Sequence, residues 1–164
     1  MLFLIGVNKM NTFEKLLASA EAEDVDVIEY NFDSDKIKGL YCDGVVALSK
    51  SLRTNREKAC ILAEELGHYH TSVGDITNLK DVRSLKQERQ ARLWGYNNRI
   101  GLTGIIDSYK AGCRNLYEMA EYLEVTENFL QEALTYYKEK YGPCKQVGTY
   151  IIYFEPGIGV FERM

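Results

Sequence analysis

The sequence lacks the features that mark several common protein classes. It has no excess of positive charge, since 20 Lys and Arg residues stand against 24 Asp and Glu residues and the net charge is −4. A general nucleic-acid or membrane surface needs basic charge, so neither is expected. The apolar segment at its start, residues 1–7, has no basic flank and is too short for a signal peptide or a membrane span. We therefore predict a cytoplasmic protein.

Cysteine is scarce and scattered. The four cysteines, at positions 42, 60, 113 and 144, form no CxxC pair, which argues against a zinc ribbon or a thioredoxin-like site. A chain of 164 residues can bury a core without disulfides, so free thiols are expected. There is no internal repeat, low-complexity tract or long linker. We predict one domain over residues 1–164, with residues 1–9 as a non-native or disordered extension if Met10 is the natural start.

The first third of the chain predicts a helix followed by a small mixed sheet. Thr12 is a candidate cap for a helix with apolar residues at helical spacing. Residues 25–30 alternate as a strand does, and residues 37–42 and 45–48 flank the hairpin signal Asp43-Gly44. Together with the helices predicted downstream, this pattern indicates an α+β domain.

The rest of the chain is mainly helical by pattern. Thr54 and Glu57 form a capping box that begins a helix running to about Tyr69. The later elements predicted from apolar spacing are a helix over 82–100, a short helix capped by Thr103, helices near 116–123 and 129–141, and a strand over 147–154.

The helix after Thr54 carries the chemistry. Its centre reads Ala63-Glu-Glu-Leu-Gly-His68, so Glu64 and His68 are four residues apart and lie on one face. The zinc-protease signature His-Glu-x-x-His uses this geometry, and here Glu64 stands in place of the first histidine. Glu64, His68 and Glu88 are candidate metal ligands, with Glu65 as the general base. The alternative is an amphipathic helix with solvated glutamates and a structural histidine.

Small residues predict how Glu88 reaches that helix. Gly67 inside a helix costs about 1 kcal/mol relative to alanine, so a close neighbouring element is expected there. Ala91 and Gly95 follow Glu88 on roughly the same face of the second helix. Their small size would let the two helices approach and bring Glu88 towards His68. His70 and Asp75 are possible further ligands close in sequence.

Three segments together resemble the ImmA/IrrE family of metallopeptidases. They are Leu62–His68, the Thr-Ser-Val-Gly-Asp segment 71–75, and Glu-Arg-Gln-Ala-Arg-Leu-Trp-Gly over 88–95. The family pairs His-Glu-Leu-Gly-His with a downstream Glu-x-x-Ala-x-x-Phe-Ala segment. The run over 118–127 is typical of members from phages and mobile elements. The resemblance covers roughly residues 10–155 and implies a zincin-like fold, in which a small mixed sheet packs on the active-site helix.

The resemblance also implies residue roles and a substrate. Carried over, Glu65 is the catalytic base, His68 a metal ligand and Glu88 the third ligand, with Glu64 at the first-ligand position. Zinc is the expected cofactor, although two carboxylate ligands make the ion a weaker Lewis acid and favour manganese or another divalent metal. Members of the family act on a helix-turn-helix repressor and derepress prophage or mobile-element genes, so a repressor is the expected partner.

Two other functions stay open. A degenerate site would leave a pseudoenzyme that regulates its repressor by binding alone. Residues 118–130 also resemble a helix-turn-helix, but residues 114–141 hold three basic against six acidic side chains. Because DNA-binding faces need phosphate-neutralising charge, direct nucleic-acid binding is not expected.

Overall fold

The computed structural model of the chain describes residues 9–71 and 82–164. Within these ranges, helices and strands follow in the order α1 (Thr12–Ala22), β1 (Asp26–Tyr30), β2 (Gly39–Cys42), β3 (Val45–Ser49), α2 (Asn55–Thr71), α3 (Val82–Arg99), α4 (Gly101–Lys110), α5 (Leu116–Leu123), α6 (Glu127–Tyr141), β4 (Cys144–Val147), β5 (Tyr150–Tyr153) and β6 (Gly159–Glu162). The predicted α+β class is confirmed. The prediction of one domain over residues 1–164, with an extension at its start, stays a prediction.

The first sheet is mixed and has the order β1-β3-β2. β1 runs parallel to β3, whereas β2 and β3 are antiparallel and form the hairpin predicted from Asp43-Gly44. Both turn residues have positive φ, +46° at Asp43 and +81° at Gly44, as a tight hairpin turn requires. β2 is therefore an edge strand, and α2 packs beside it.

The second sheet corrects a sequence prediction. Residues 147–154 do not form one strand, because the chain reverses at Gly148 (φ +59°). The result is the antiparallel sheet β4-β5-β6, in which Val147 pairs with Tyr150. Glycine tolerates this left-handed conformation, which other residues adopt rarely. The apolar alternation of residues 150–153 belongs to β5 alone.

The helix caps agree with the sequence in part. Thr54 and Glu57 form the predicted capping box at the start of α2, with reciprocal bonds of 3.1 and 3.0 Å. At α1 the cap is Asn11, whose side chain accepts from the Glu14 backbone N–H, and not Thr12. The predicted Thr103 cap is wrong, because α4 begins directly after α3 at Gly101, where φ is +62°.

Two hydrophobic clusters flank the junction of α2 and α3. One joins α1 and the first sheet to the buried face of α2, which includes Ala59, Leu62, Ala63 and Leu66. The other joins α3 to the later helices and the second sheet. All four cysteines are free. None of the helices in the described ranges is long and apolar enough to cross a membrane.

Candidate active site

The site lies where α2 and α3 cross at very short range. A Cβ atom added at Gly67 would lie 2.8 Å from the carbonyl carbon of Ala91 and closer still to its oxygen. A Cβ atom at Gly95 would lie 3.1 Å from the carbonyl oxygen of Ala63. The two backbones therefore touch at both points, as the small residues predicted. This close crossing brings side chains from both helices into one cluster.

His68 and Glu88 meet across this crossing. The Nε2 atom of His68 lies 3.2 Å from Oε2 of Glu88. Burial lowers the pKa of His68 below its usual range, and the charge of Arg92 adds to this, while Glu88 opposes it. The imidazole is thus mainly neutral at neutral pH. Its Nδ1 atom is buried and has no hydrogen-bond partner among the described residues.

Arg92 takes the second oxygen of the Glu88 carboxylate. Its Nε–H donates to Oε1 of Glu88 at 3.0 Å, one helical turn along α3. Burial opposes the charge on Arg92, but the hydrogen bond from Arg92 to Glu88 and the charges of Glu88 and Glu64 together raise its pKa. Glu88 is therefore held between a neutral histidine and a guanidinium.

Glu64 and Glu65 are both partly buried beside this cluster. Burial raises the pKa of Glu64 to about 7, with Arg92 acting in the opposite direction. Burial and the neighbouring charge of Glu64 raise the pKa of Glu65 to about 7, against a hydrogen bond from the Tyr41 backbone. Since a general base works best with a pKa near the operating pH, Glu65 is electrostatically suited to its predicted role.

Glu65 lies against the edge strand of the first sheet. A Cβ atom added at Gly39, the first residue of β2, would lie 2.9 Å from both Cγ and Oε1 of Glu65. Glycine at this position leaves the space that the carboxylate fills. Through this contact and the Tyr41 backbone bond, β2 orients Glu65. Glu65 therefore lies beside the free edge of the first sheet.

The predicted three-ligand metal site is only partly assembled. The 3.2 Å between His68 Nε2 and Glu88 Oε2 suits two ligands of one ion, because tetrahedral ligands about 2 Å from zinc are a little over 3 Å apart. However, no three His, Cys, Asp or Glu side chains in the described ranges are grouped so that they could hold a metal ion. Glu64 thus does not complete the pair. The described residues do not by themselves fit the metal.

Of the two secondary candidates, only His70 lies in the described part of the chain, and its contacts lie outside the cluster. Nε2 of His70 lies 3.2 Å from Oε2 of Glu23, and its ring stacks on Trp94 with the ring centroids 4.4 Å apart. His70 thus contacts the C-cap residue of α1 and the later part of α3. The carboxylate that it pairs with is Glu23, which is not one of the predicted ligands. Asp75 lies outside the described residues, so its prediction stays open.

Two cavities meet at Arg92. One of about 450 Å³ is lined by residues from α2 and α6 that include Glu64. The other, of about 600 Å³, lies between α3 and α6 and includes Glu88 and Tyr136. Arg92 and Glu132 line both. The candidate site therefore opens onto a groove that continues on either side of Arg92.

Sequence reasoning missed the parts of the site that support the predicted residues. They are Arg92, Gly39, the Tyr41 backbone and Glu132. Only the contact of Arg92 with Glu88 could have been predicted from the sequence, because Arg92 follows Glu88 by four residues and residues at this spacing interact on a helix. The others reach the site from β2 and α6, and their sequence separation from residues 64–68 gives no indication of contact.

The raised pKa of Glu64 predicts a pH-dependent gain in stability for Glu64→Gln. A carboxyl group whose pKa rises from 4.5 to about 7 on folding destabilises the native state as pH increases between these values. The free energy of unfolding of metal-stripped Glu64→Gln should therefore exceed that of metal-stripped wild type by about 1–3 kcal/mol at pH 8.5. This difference should become smaller towards pH 5.5. Urea unfolding at both pH values measures this difference. Glu29→Gln is the control, because Lys58 lowers the pKa of the exposed Glu29, so this substitution should bring no such gain in stability. An equal gain at both pH values for Glu64→Gln would contradict the prediction.

The family comparison covers this whole cluster. The family model described as the IrrE N-terminal-like domain, Peptidase_M78, matches residues 20–135, which is more than half of the chain and includes both helices of the site. No curated protein matches the chain, and no solved structure matches it.

Proposed function

Because this chain belongs to the IrrE N-terminal-like (Peptidase_M78) family, we propose that it is an endopeptidase acting on a helix-turn-helix repressor of a prophage or mobile element. Membership of the family implies a metallopeptidase-type function and therefore a metal, without giving its identity. The observation that carries the proposal is the contact of His68 with Glu88 at 3.2 Å beside Glu65, which is the pairing that the peptidase motif requires.

In this proposal Glu65 supplies the acid–base chemistry. Its carboxylate takes a proton from a water molecule as that water attacks the peptide carbonyl, and it then gives the proton to the departing amine. A pKa of about 7 allows both steps near neutral pH. We assign no step to a metal ion, because the described residues do not complete a three-ligand group. Zinc is the first ion to test and manganese the second, since carboxylate-rich sites favour harder ions.

The substrate is proposed to bind as an added strand at β2. This strand pairs with β3 on one side only, and its residue Leu40 is 52% exposed. An extended peptide that pairs with an edge strand gains main-chain hydrogen bonds. Because Gly39 of β2 touches Glu65, a peptide bound at this edge would run past the proposed base. An unfolded or linker segment of the repressor has the extended conformation that this requires.

A second function is favoured by the Arg92–Glu88 pair. With both Glu88 oxygens engaged and no three-ligand group among the described residues, the chain is also suited to bind a repressor without cutting it. This is the pseudoenzyme alternative, in which the same groove and edge strand hold the partner.

The test is a cleavage assay with the repressor encoded beside the protein. Purified protein is incubated with the repressor after addition of zinc, of manganese, or of a chelator, and the products are read by mass spectrometry. The proposal expects discrete fragments that the chelator suppresses. Metal content is measured in parallel, with about one ion per chain expected for wild type and a loss in His68→Ala. A repressor that is bound but left intact with every ion would establish the binding function instead.

A further inference from the structure

Arg92 occupies a position that no predicted role explains. It projects from α3 between the two cavities, with half of its side chain exposed, and its Nε–H donates to Glu88. The other Glu88 oxygen faces His68. Arg92 therefore holds the carboxylate that the peptidase motif would use as its third metal ligand.

The charge of Arg92 reaches the rest of the cluster as well. It interacts electrostatically with Glu64, Glu65 and His68 in addition to Glu88. Several carboxylates packed together in a partly buried site need a nearby cation, because burial penalises unpaired charge. In a loaded metallopeptidase a divalent ion supplies that charge. In this chain the described residues supply it with a guanidinium.

We propose that Arg92 is an internal counter-ion that competes electrostatically with a divalent metal ion at the Glu88 carboxylate. The inference rests on the proposed function, since it concerns the same site. An ion between His68 Nε2 and Glu88 Oε2 would leave the Arg92 bond to Oε1 in place. However, the ion would bind a carboxylate whose charge is already neutralised, and it would enter a space where the guanidinium repels it. This repulsion lowers the metal affinity of the wild-type chain.

Removing the guanidinium should therefore raise metal affinity. Metal-stripped wild type, Arg92→Gln and Arg92→Met are titrated with zinc at pH 7.5 against a chromophoric chelator, after thermal unfolding shows that each is folded. Both variants should bind zinc about tenfold more tightly than wild type, because each loses the positive charge that repels the ion. Two substitutions are used because methionine keeps the apolar stem of the side chain, whereas glutamine keeps its polarity.

Arg89→Gln is the matched control. Arg89 lies beside Glu88 in sequence, carries the same charge, and pairs with Glu139 on the exposed side of α3. Its zinc affinity should equal that of wild type. The double variant His68→Ala with Arg92→Gln should lose the gain, which places the added zinc at the His68–Glu88 pair.

Three results would overturn the proposal. They are unchanged or weaker zinc binding in both Arg92 variants, an equal gain in Arg89→Gln, and a gain that survives loss of His68. Since the readout is zinc affinity and not repressor cleavage, failure of the cleavage assay and failure of this competition are separately visible.

Discussion

Glu65→Gln is expected to lower the rate of repressor cleavage by about 10²–10⁴-fold, the usual contribution of a positioned general base. Glutamine keeps the size of the side chain and its space beside Gly39, but it cannot accept the proton from the attacking water. Binding of the repressor should be unchanged, because the edge of β2 and the groove are intact. Cleavage is measured by fragment yield and binding by isothermal titration.

The control for this change is Glu29→Gln. It makes the same substitution at an exposed carboxylate of β1, which pairs with Lys58 of α2. This variant should cut the repressor as wild type does. Cleavage that survives in Glu65→Gln would rule out the base role. Because Glu65 is partly buried, thermal unfolding is recorded for each variant, and Glu65→Asp, which retains a shorter base, should keep measurable activity and so separate lost chemistry from lost structure.

Gly67→Ala is expected to destabilise the fold by about 1–3 kcal/mol, as overpacking against a rigid neighbour does. The new methyl group would meet the backbone carbonyl of Ala91, which cannot move unless α3 moves away from α2. This cost outweighs the gain of about 1 kcal/mol that alanine normally brings to a helix interior. Denaturant unfolding measures the loss, and a shifted α3 would also separate His68 from Glu88.

Gly104→Ala is the matched control, because it makes the same substitution inside α4. A Cβ atom there would lie 3.1 Å from Cδ2 of Leu123, the end of a flexible side chain that can give way. The higher helix propensity of alanine should then determine the effect of the substitution, and the free energy of unfolding should stay near that of wild type or rise slightly. If Gly67→Ala unfolded at the same denaturant concentration as this control, the close helix crossing would be wrong.

Much of the fold is set by interactions between residues that are close in the sequence. The Thr54–Glu57 capping box, the Asp43-Gly44 hairpin and the buried stripe of α2 are all set by side chains within a few residues of one another. The same is true of the cap of α6, where the Thr126 side chain accepts from the Phe129 backbone N–H. Short-range hydrogen bonds and helical spacing are sufficient to fix such features.

The sequence-based prediction was wrong where two local structures fitted the same residues about equally well. Asn11 and Thr12 are neighbouring residues that both cap helices well, and the capping box with Glu14 decided for Asn11. The apolar residues around Gly148 fit one long strand or a hairpin, and pairing between β4 and β5 decided for the hairpin.

The sequence by itself determined which helix holds the candidate site residues and which of them lie close together along it. Glu64, Glu65 and His68 share α2 through their spacing alone, and the small residues at 67, 91 and 95 indicated that Glu88 would reach them. Only the tertiary structure decided what surrounds these groups. The contact of β2 with Glu65, the burial that raises the pKa of both glutamates, and the hold of Arg92 on Glu88 depend on how separate elements pack. Charge, burial and hydrogen bonding depend on which residues are close in space. Helical spacing within α2 does not show which side chains of other elements lie beside the site.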